Sequence, residues 1–126
     1  MFDDLLFVKY VKGGRNPQIG LDCYGLVKEV YHRIGIELPE YDSPESCEGI
    51  DDFVREKKGT FEKLDNIQAY ALVLFVIKPP YETHIGTVLA DRKTFIHVLK
   101  KTGCCIERLN NPFWVKRIGG FYQWRG

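Results

Sequence analysis

The helical pattern of apolar positions is clearest in the stretch that follows residue 22. Six apolar side chains recur there at steps of three and four residues and so share one helix face: Cys23, Leu26, Val27, Val30, Tyr31 and Ile34. Asp22 stands where an N-cap is expected, and Gly35 suits the position just after a helix. The pattern therefore predicts an amphipathic helix that begins at Cys23 and ends at Gly35.

A second helix is predicted from Ser43 to about Lys57. Ser43 can cap its first turn, Pro44 is suited to the first helical position, and Gly59 follows the last turn. Before the first helix, Val11 to Gly20 reads as a loop because it contains three glycines and a proline.

The period changes after residue 70 from helical to strand-like. The β-rich segments are Ala71 to Ile77, His84 to Ala90, Thr94 to Leu99, Cys105 to Leu109 and the aromatic-rich Val115 to Trp124. Asp91-Arg92-Lys93 reads as a hairpin turn and Asn110-Asn111-Pro112 as another turn. Helices followed by a run of strands predict an α+β fold with an antiparallel sheet.

Composition narrows the classes of protein to consider. The 126 residues favour one domain spanning 1–126, and a net charge of +1 gives no electrostatic case for nucleic acid or an anionic membrane. The longest apolar run, Tyr70 to Ile77, is too short to span a bilayer. The N-terminus Met1-Phe2-Asp3-Asp4 is acidic where a secretory signal is basic, so we expect synthesis in the cytoplasm with free thiols.

The candidate chemistry starts at Cys23. A thiol in the first helical turn lies at the positive end of the helix dipole, which lowers its pKa and favours the nucleophilic thiolate. A buried, inert core cysteine is the alternative. The four cysteines (Cys23, Cys47, Cys104 and Cys105) form no CxxC pair, so no zinc motif is predicted.

Two histidines complete a possible catalytic set. His32 lies on the polar side of the first helix and is predicted to be at the surface. If the strands that carry His84 and His97 pair, these two fall near each other, and one could take a proton from Cys23 while the other holds its ring through a nitrogen–nitrogen hydrogen bond. Each could instead be an ordinary, partly buried strand histidine. A metal site from the same three side chains lacks an evident acidic partner, so none is predicted.

The motif LDCYGLV followed by HIGTVLADRKTFIHV resembles the NlpC/p60 family of papain-like cysteine peptidases. The upstream segment KYVKGGRNPQIGLDC is similar to the approach loop of that family, and LNNPFWVKRIGGFYQW resembles the closing segment of its phage-tail members. The resemblance implies a papain-like domain in which N-terminal helices pack on an antiparallel sheet.

The resemblance also implies roles for individual residues. Cys23 would be the nucleophile, His84 the general base and His97 the third, orienting residue. Tyr10 and the backbone N–H of Cys23 would serve the oxyanion site. The implied activity is hydrolysis of peptidoglycan stem peptides at γ-D-glutamyl–diamino acid type bonds, with no cofactor and no metal. Tyr24 replaces a small serine of the family motif and could narrow the cleft or alter the choice of substrate.

Other functions stay open at this point. The chain could be a phage or prophage tail component that assembles with tail proteins and does not need catalysis, or an amidase or acyltransferase on the same fold. Its aromatic residues could form a contact surface or ordinary core, and core packing is the favoured interpretation: Phe113, Trp114, Phe121, Tyr122 and Trp124. We expect action at the bacterial cell wall, from a virion tail, without a membrane span.

Overall fold

A computed structural model of the protein describes residues 2–40, 61–81 and 83–125. After a short 3₁₀ turn (Asp3–Leu5) come β1 (Arg15–Asn16), β2 (Gly20–Leu21), α1 (Cys23–Arg33), β3 (Phe61–Leu64), β4 (Leu72–Phe75), β5 (His84–Val88), β6 (Thr94–Leu99), β7 (Gly103–Arg108), α2 (Pro112–Val115) and β8 (Ile118–Trp124). The α+β prediction is confirmed. The helix predicted from Ser43 to about Lys57 lies outside the described residues.

Helix α1 begins and ends as its sequence predicts. The Asp22 carboxylate accepts a hydrogen bond from the backbone N–H of Gly25 at 2.7 Å, which caps the first turn. Gly35 follows the last turn with φ of +89°, a left-handed conformation that glycine adopts without the steric cost of a side chain. Within the described ranges, no helix has the length and apolar character that a membrane crossing requires.

Six strands form one antiparallel sheet in the order β3-β8-β4-β5-β6-β7, and β1 pairs with β2 separately. The predicted hairpin joins β5 to β6 with Thr87 opposite Ile96. The Asp91 carboxylate accepts hydrogen bonds from the backbone N–H groups of Lys93 and Thr94, which closes the turn.

The sheet has two covered faces. The helix face packs against α1 and carries alternate residues of the central strands: Leu72, Leu74, Ile85, Ile96 and Val98. The tryptophan face packs against Trp114 of α2 and carries Val73, Phe75, Val88 and Phe95. Because side chains alternate along a strand, His84 and His97 share the tryptophan face with Val88 and Phe95.

Several boundaries differ from those that the sequence predicts. The segment predicted as a turn at Asn110 leads into a short helix. The Asn111 side chain accepts a hydrogen bond from the N–H of Phe113, and Pro112 is the first residue of α2. The last strand consequently begins at Ile118 rather than at Val115. The strand expected over Ala71–Ile77 is confined to β4. Strand β3 has no counterpart among the predicted elements.

Candidate active site

A glycine loop is packed tightly against the first turn of α1. A Cβ atom on Gly25 would lie 2.1 Å from the carbonyl oxygen of Gly14, so only glycine permits this contact. Arg15 donates to the Gly14 carbonyl at 2.9 Å and to the Asp22 carboxylate at 2.7 Å. Asp22 is 1% exposed, and the buried ion pair therefore ties the loop to the residue that precedes Cys23.

Cys23 is half-buried at the start of α1 and packs against apolar side chains of the helix face. Tyr10 forms a parallel backbone bridge with Leu21, which holds the tyrosine's backbone beside a residue that lies two positions before the cysteine. Tyr24 is buried and donates its hydroxyl to the Pro39 carbonyl at 2.5 Å. The ring of Tyr24 is therefore part of the core, and its effect on the cleft and on substrate choice stays a prediction.

His84 and His97 meet on the tryptophan face. Their Nε2 and Nδ1 atoms are 2.7 Å apart, which is the nitrogen–nitrogen hydrogen bond that strand pairing predicts. His97 is fully buried and His84 is 8% exposed. His32 is exposed and bonds Glu37, as expected of a surface residue.

Trp114 covers both imidazoles. Its ring stacks on that of His84 with centroids 5.4 Å apart and stands edge-on to that of His97 at 5.0 Å. Burial under this cover lowers the pKa of His84 to about 3, with the neighbouring His97 adding to the effect, and burial lowers the pKa of His97 to about 4. Both rings are therefore neutral at pH 7.

Glu107 is the residue of this site that the sequence analysis missed. Its Oε2 lies 2.6 Å from Nε2 of His97, and the indole N–H of Trp114 donates to the same oxygen at 3.0 Å. Strand β7 positions it, because Cys105 pairs directly opposite His97 and Glu107 follows two residues later on the same face. An acidic residue inside a β-rich segment was the signal that could have found it.

The adjacent cysteines point to opposite faces, as alternation predicts. Cys104 is buried with the helix face, while Cys105 is half-buried with its Sγ 3.5 Å from Nε2 of His97. Burial raises the pKa of the Cys104 thiol to about 12 and, together with Glu107, that of Cys105 to about 11. Neither thiol is therefore poised as a nucleophile at neutral pH.

The side chains of His97, Cys105 and Glu107 offer three potential metal-ligand atoms within 4.8 Å of one another. However, Nε2 of His97 and Oε2 of Glu107 are only 2.6 Å apart. Two ligands of a tetrahedral zinc ion with bonds of about 2.0–2.1 Å would be about 3.3 Å apart. The shorter separation is that of a charge-assisted hydrogen bond, so we interpret the three side chains as a hydrogen-bond network.

The structure brings the side chains of His84 and His97 into contact. The imidazoles lie on the tryptophan face, whereas α1, which Cys23 begins, packs on the helix face. The hydroxyl of Tyr31 donates to the Tyr70 carbonyl near the start of β4, so α1 begins towards the other end of the sheet, where Phe75 of β4 pairs with His84 of β5. A groove of about 230 Å³ lies beside Tyr31 and Tyr70, remote from the histidines. The role of Cys23 stays a prediction.

The chain is similar to one known protein family and to two named relatives. A family model described as "NlpC/P60 family" matches residues 8–123. The chain is 27% identical over 111 residues to the murein DD-endopeptidase/murein LD-carboxypeptidase MepS of Escherichia coli (strain K12), covering 87% of this chain and 52% of that protein. It is 27% identical over 116 residues to the bifunctional muramidase/DL-endopeptidase CwlT of Bacillus subtilis, covering 89% of this chain and 31% of that protein.

A solved NlpC/P60 family protein from Bacillus cereus has the same fold. It superimposes with a TM-score of 0.67 at 20% identity, covering 100% of this chain and 41% of the other. The chain therefore spans about half the length of the E. coli relative and less than half of the other two proteins.

Proposed function

The chain belongs to the NlpC/P60 family, and from that premise we propose that it is a cysteine endopeptidase that hydrolyses peptidoglycan stem peptides. The names of MepS and CwlT, which include murein DD-endopeptidase and DL-endopeptidase, support this substrate class. The observation that carries the proposal is the 2.7 Å hydrogen bond between His84 and His97. A base oriented by a second polar group is what a thiol nucleophile requires.

The proposed reaction is acyl transfer through a thioester. The Cys23 thiol loses its proton to Nδ1 of His84, the ring nitrogen that does not face His97, and the sulfur attacks the peptide carbonyl carbon. The backbone N–H of Cys23 and the hydroxyl of Tyr10 stabilise the resulting oxyanion. His84 then protonates the leaving amine, and water hydrolyses the thioester to release the acid and the free thiol. The preferred bond is of the γ-D-glutamyl–diamino acid type.

Mass spectrometry of purified muropeptides tests this function. We expect the protein to cut stem peptides, Cys23→Ala to abolish the product, and His84→Gln to lower kcat by about 10²–10⁴-fold, the usual contribution of a general base. His32→Gln is the matched control because His32 is exposed and bonds Glu37. Cys23→Ala protein that still cuts at the normal rate would refute the assignment.

Cysteine reactivity tests the nucleophile by itself. With iodoacetamide at pH 7, Cys23 should label faster than Cys104 and Cys105, whose thiol pKa values are raised. Cys105 is the rival because its sulfur lies beside His97. If Cys105→Ala abolishes turnover while Cys23→Ala does not, the nucleophile is Cys105.

We further propose that the protein acts from a phage or prophage tail on the bacterial cell wall. The resemblance of LNNPFWVKRIGGFYQW to the closing segment of phage-tail members supports this location. Immunodetection in purified particles after prophage induction tests it. Particles that lack the protein while the cell extract contains it would contradict the tail location and leave the peptidase assignment intact.

A further inference from the structure

The Glu107 carboxylate lies next to three polar side chains on the tryptophan face. Its Oε2 receives the indole N–H of Trp114 at 3.0 Å, lies 2.6 Å from Nε2 of His97, and faces the Cys105 sulfur at 3.9 Å. An indole nitrogen can only donate a hydrogen bond. The Glu107 oxygen that faces this N–H must therefore accept.

The acceptor at Glu107 determines which nitrogen carries the proton on each of the two imidazoles. Because a carboxylate oxygen can only accept, Nε2 of His97, which faces the same oxygen, must carry the proton, and a neutral ring then leaves Nδ1 as an acceptor. Nε2 of His84 faces that Nδ1 at 2.7 Å and must donate to it. Nδ1 of His84 is left with a lone pair.

We propose that Glu107 and Trp114 are positioning residues that set the tautomers of both histidines, so that Nδ1 of His84 is held as a proton acceptor. The kinetic consequence rests on the proposed function, in which His84 accepts the thiol proton. The tautomers themselves do not depend on that function, so the two ideas can fail separately.

Glu107 also compensates charge when the base is protonated. Its carboxylate is 29% exposed and lies one imidazole away from His84, where its negative charge opposes the effect of burial on the pKa of His84. Glu107→Gln keeps an acceptor oxygen but removes this charge, whereas Glu107→Leu removes both. The two substitutions therefore separate orientation from electrostatics.

Nitrogen-15 NMR of the histidine rings tests the tautomers directly. In the unmodified protein at pH 7, both His84 and His97 should carry the proton on Nε2. Glu107→Gln alone should retain this pattern, because Trp114 still requires the amide oxygen to face the network. Trp114→Phe alone should retain it too, because a carboxylate can only accept.

Combining the two substitutions is the decisive measurement. In Glu107→Gln with Trp114→Phe, the amide can turn its NH₂ towards His97, so the tautomers should become mixed or reverse. If the double variant keeps Nε2–H on both rings, or if Glu107→Leu does, the proposal is overturned. Amide NMR spectra establish that each variant is folded, and the single variants carry the test if the double variant is unfolded.

Kinetics link the tautomers to turnover of muropeptides. Glu107→Leu should lower kcat by about 10²-fold, at the lower end of what a misplaced general base costs, with KM little changed. Glu107→Gln should recover most of that loss. A protein with the expected tautomers but no turnover refutes the proposed function alone, whereas full turnover in Glu107→Leu with unchanged tautomers refutes this inference alone.

Discussion

The two faces of the central sheet are covered in different ways. The helix face is closed by aliphatic and aromatic side chains of α1, such as Leu26 and Val30, against Ile96. Among the described residues, Trp114 lies over the tryptophan face, against two histidines that bond each other. An apolar face gains stability simply by excluding water, whereas buried polar groups contribute only when each has a partner.

This difference between the two faces explains where titratable side chains can be buried. The neutral imidazoles can be buried on the tryptophan face because Glu107 and Trp114 complete the hydrogen-bond network around them. The helix face contributes a rigid support for the start of α1, where Arg15 and Asp22 form a buried ion pair. The two buried histidines thus lie on one side of the sheet, and changes to the two sides should differ in how their effect on stability depends on pH.

The largest effect on stability is expected for Trp114→Ala. It removes the ring that stacks on His84 and the N–H that bonds Glu107, so the free energy of unfolding should fall by about 3–5 kcal/mol. Phe113→Ala is the matched control, because this neighbouring ring is 48% exposed and should cost at most about 1 kcal/mol. Urea unfolding measures both losses of stability. Equal losses would show that Trp114 contributes no more than the exposed ring beside it.

The next largest effect is a loss of folding stability at low pH, caused by the buried histidines of the tryptophan face. The pKa values of His84 and His97 are lowered by burial, so the unfolded state binds more protons than the folded state below pH 6.5. Their contribution is fully present above pH 6.5 and is lost as the pH falls from 6.5 towards about 4 for His97 and about 3 for His84, at up to about 1.4 kcal/mol per pH unit for each histidine.

Urea unfolding between pH 8 and pH 4 measures this slope. Leu26→Ala on the helix face should lower stability by about 2–4 kcal/mol and leave the slope unchanged, since it alters no titratable group. His97→Gln should reduce the slope. A slope that is the same with and without His97 would show that the histidines are not the acid-sensitive groups.

A smaller loss is expected for Gly25→Ala. The added methyl would lie 2.1 Å from the Gly14 carbonyl oxygen, so loop and helix must separate, at a cost of about 1–3 kcal/mol. Gly35→Ala is the comparison: among the described residues, a Cβ atom added there would meet nothing within 4 Å, and the strain of its positive φ alone should cost about 1 kcal/mol. Thermal unfolding distinguishes them, and a stabilised Gly25→Ala protein would contradict the close packing.

The smallest effect concerns the cap of α1. Asp22→Asn retains a side-chain oxygen that can accept from the N–H of Gly25, so it should cost less than Asp22→Ala, for which a loss of about 1–2 kcal/mol is typical. The difference between the two measures the cap, while the loss in Asp22→Asn measures the ion pair with Arg15. Equal losses would assign the whole effect to the ion pair.

Local pattern was sufficient to predict much of this molecule. The period of three and four residues, with Asp22 before and Gly35 after, determined α1, because capping and side-chain spacing act within one helix. Alternation and a short turn determined the β5–β6 hairpin and therefore the meeting of His84 with His97. Both results depend on neighbours that are near in sequence.

The surroundings of the histidines, in contrast, depend on contacts between segments that the sequence pattern does not link. Glu107 reaches His97 through the pairing of β6 with β7, and Trp114 arrives from α2, whose first residues read as a turn in the sequence. Nothing in the spacing of these residues states that one oxygen of Glu107 receives donors from both, because hydrogen-bond directions depend on three-dimensional positions. The amino-acid sequence alone therefore specified which side chains could do chemistry, and the packing of distant segments settled how two of them hold their protons.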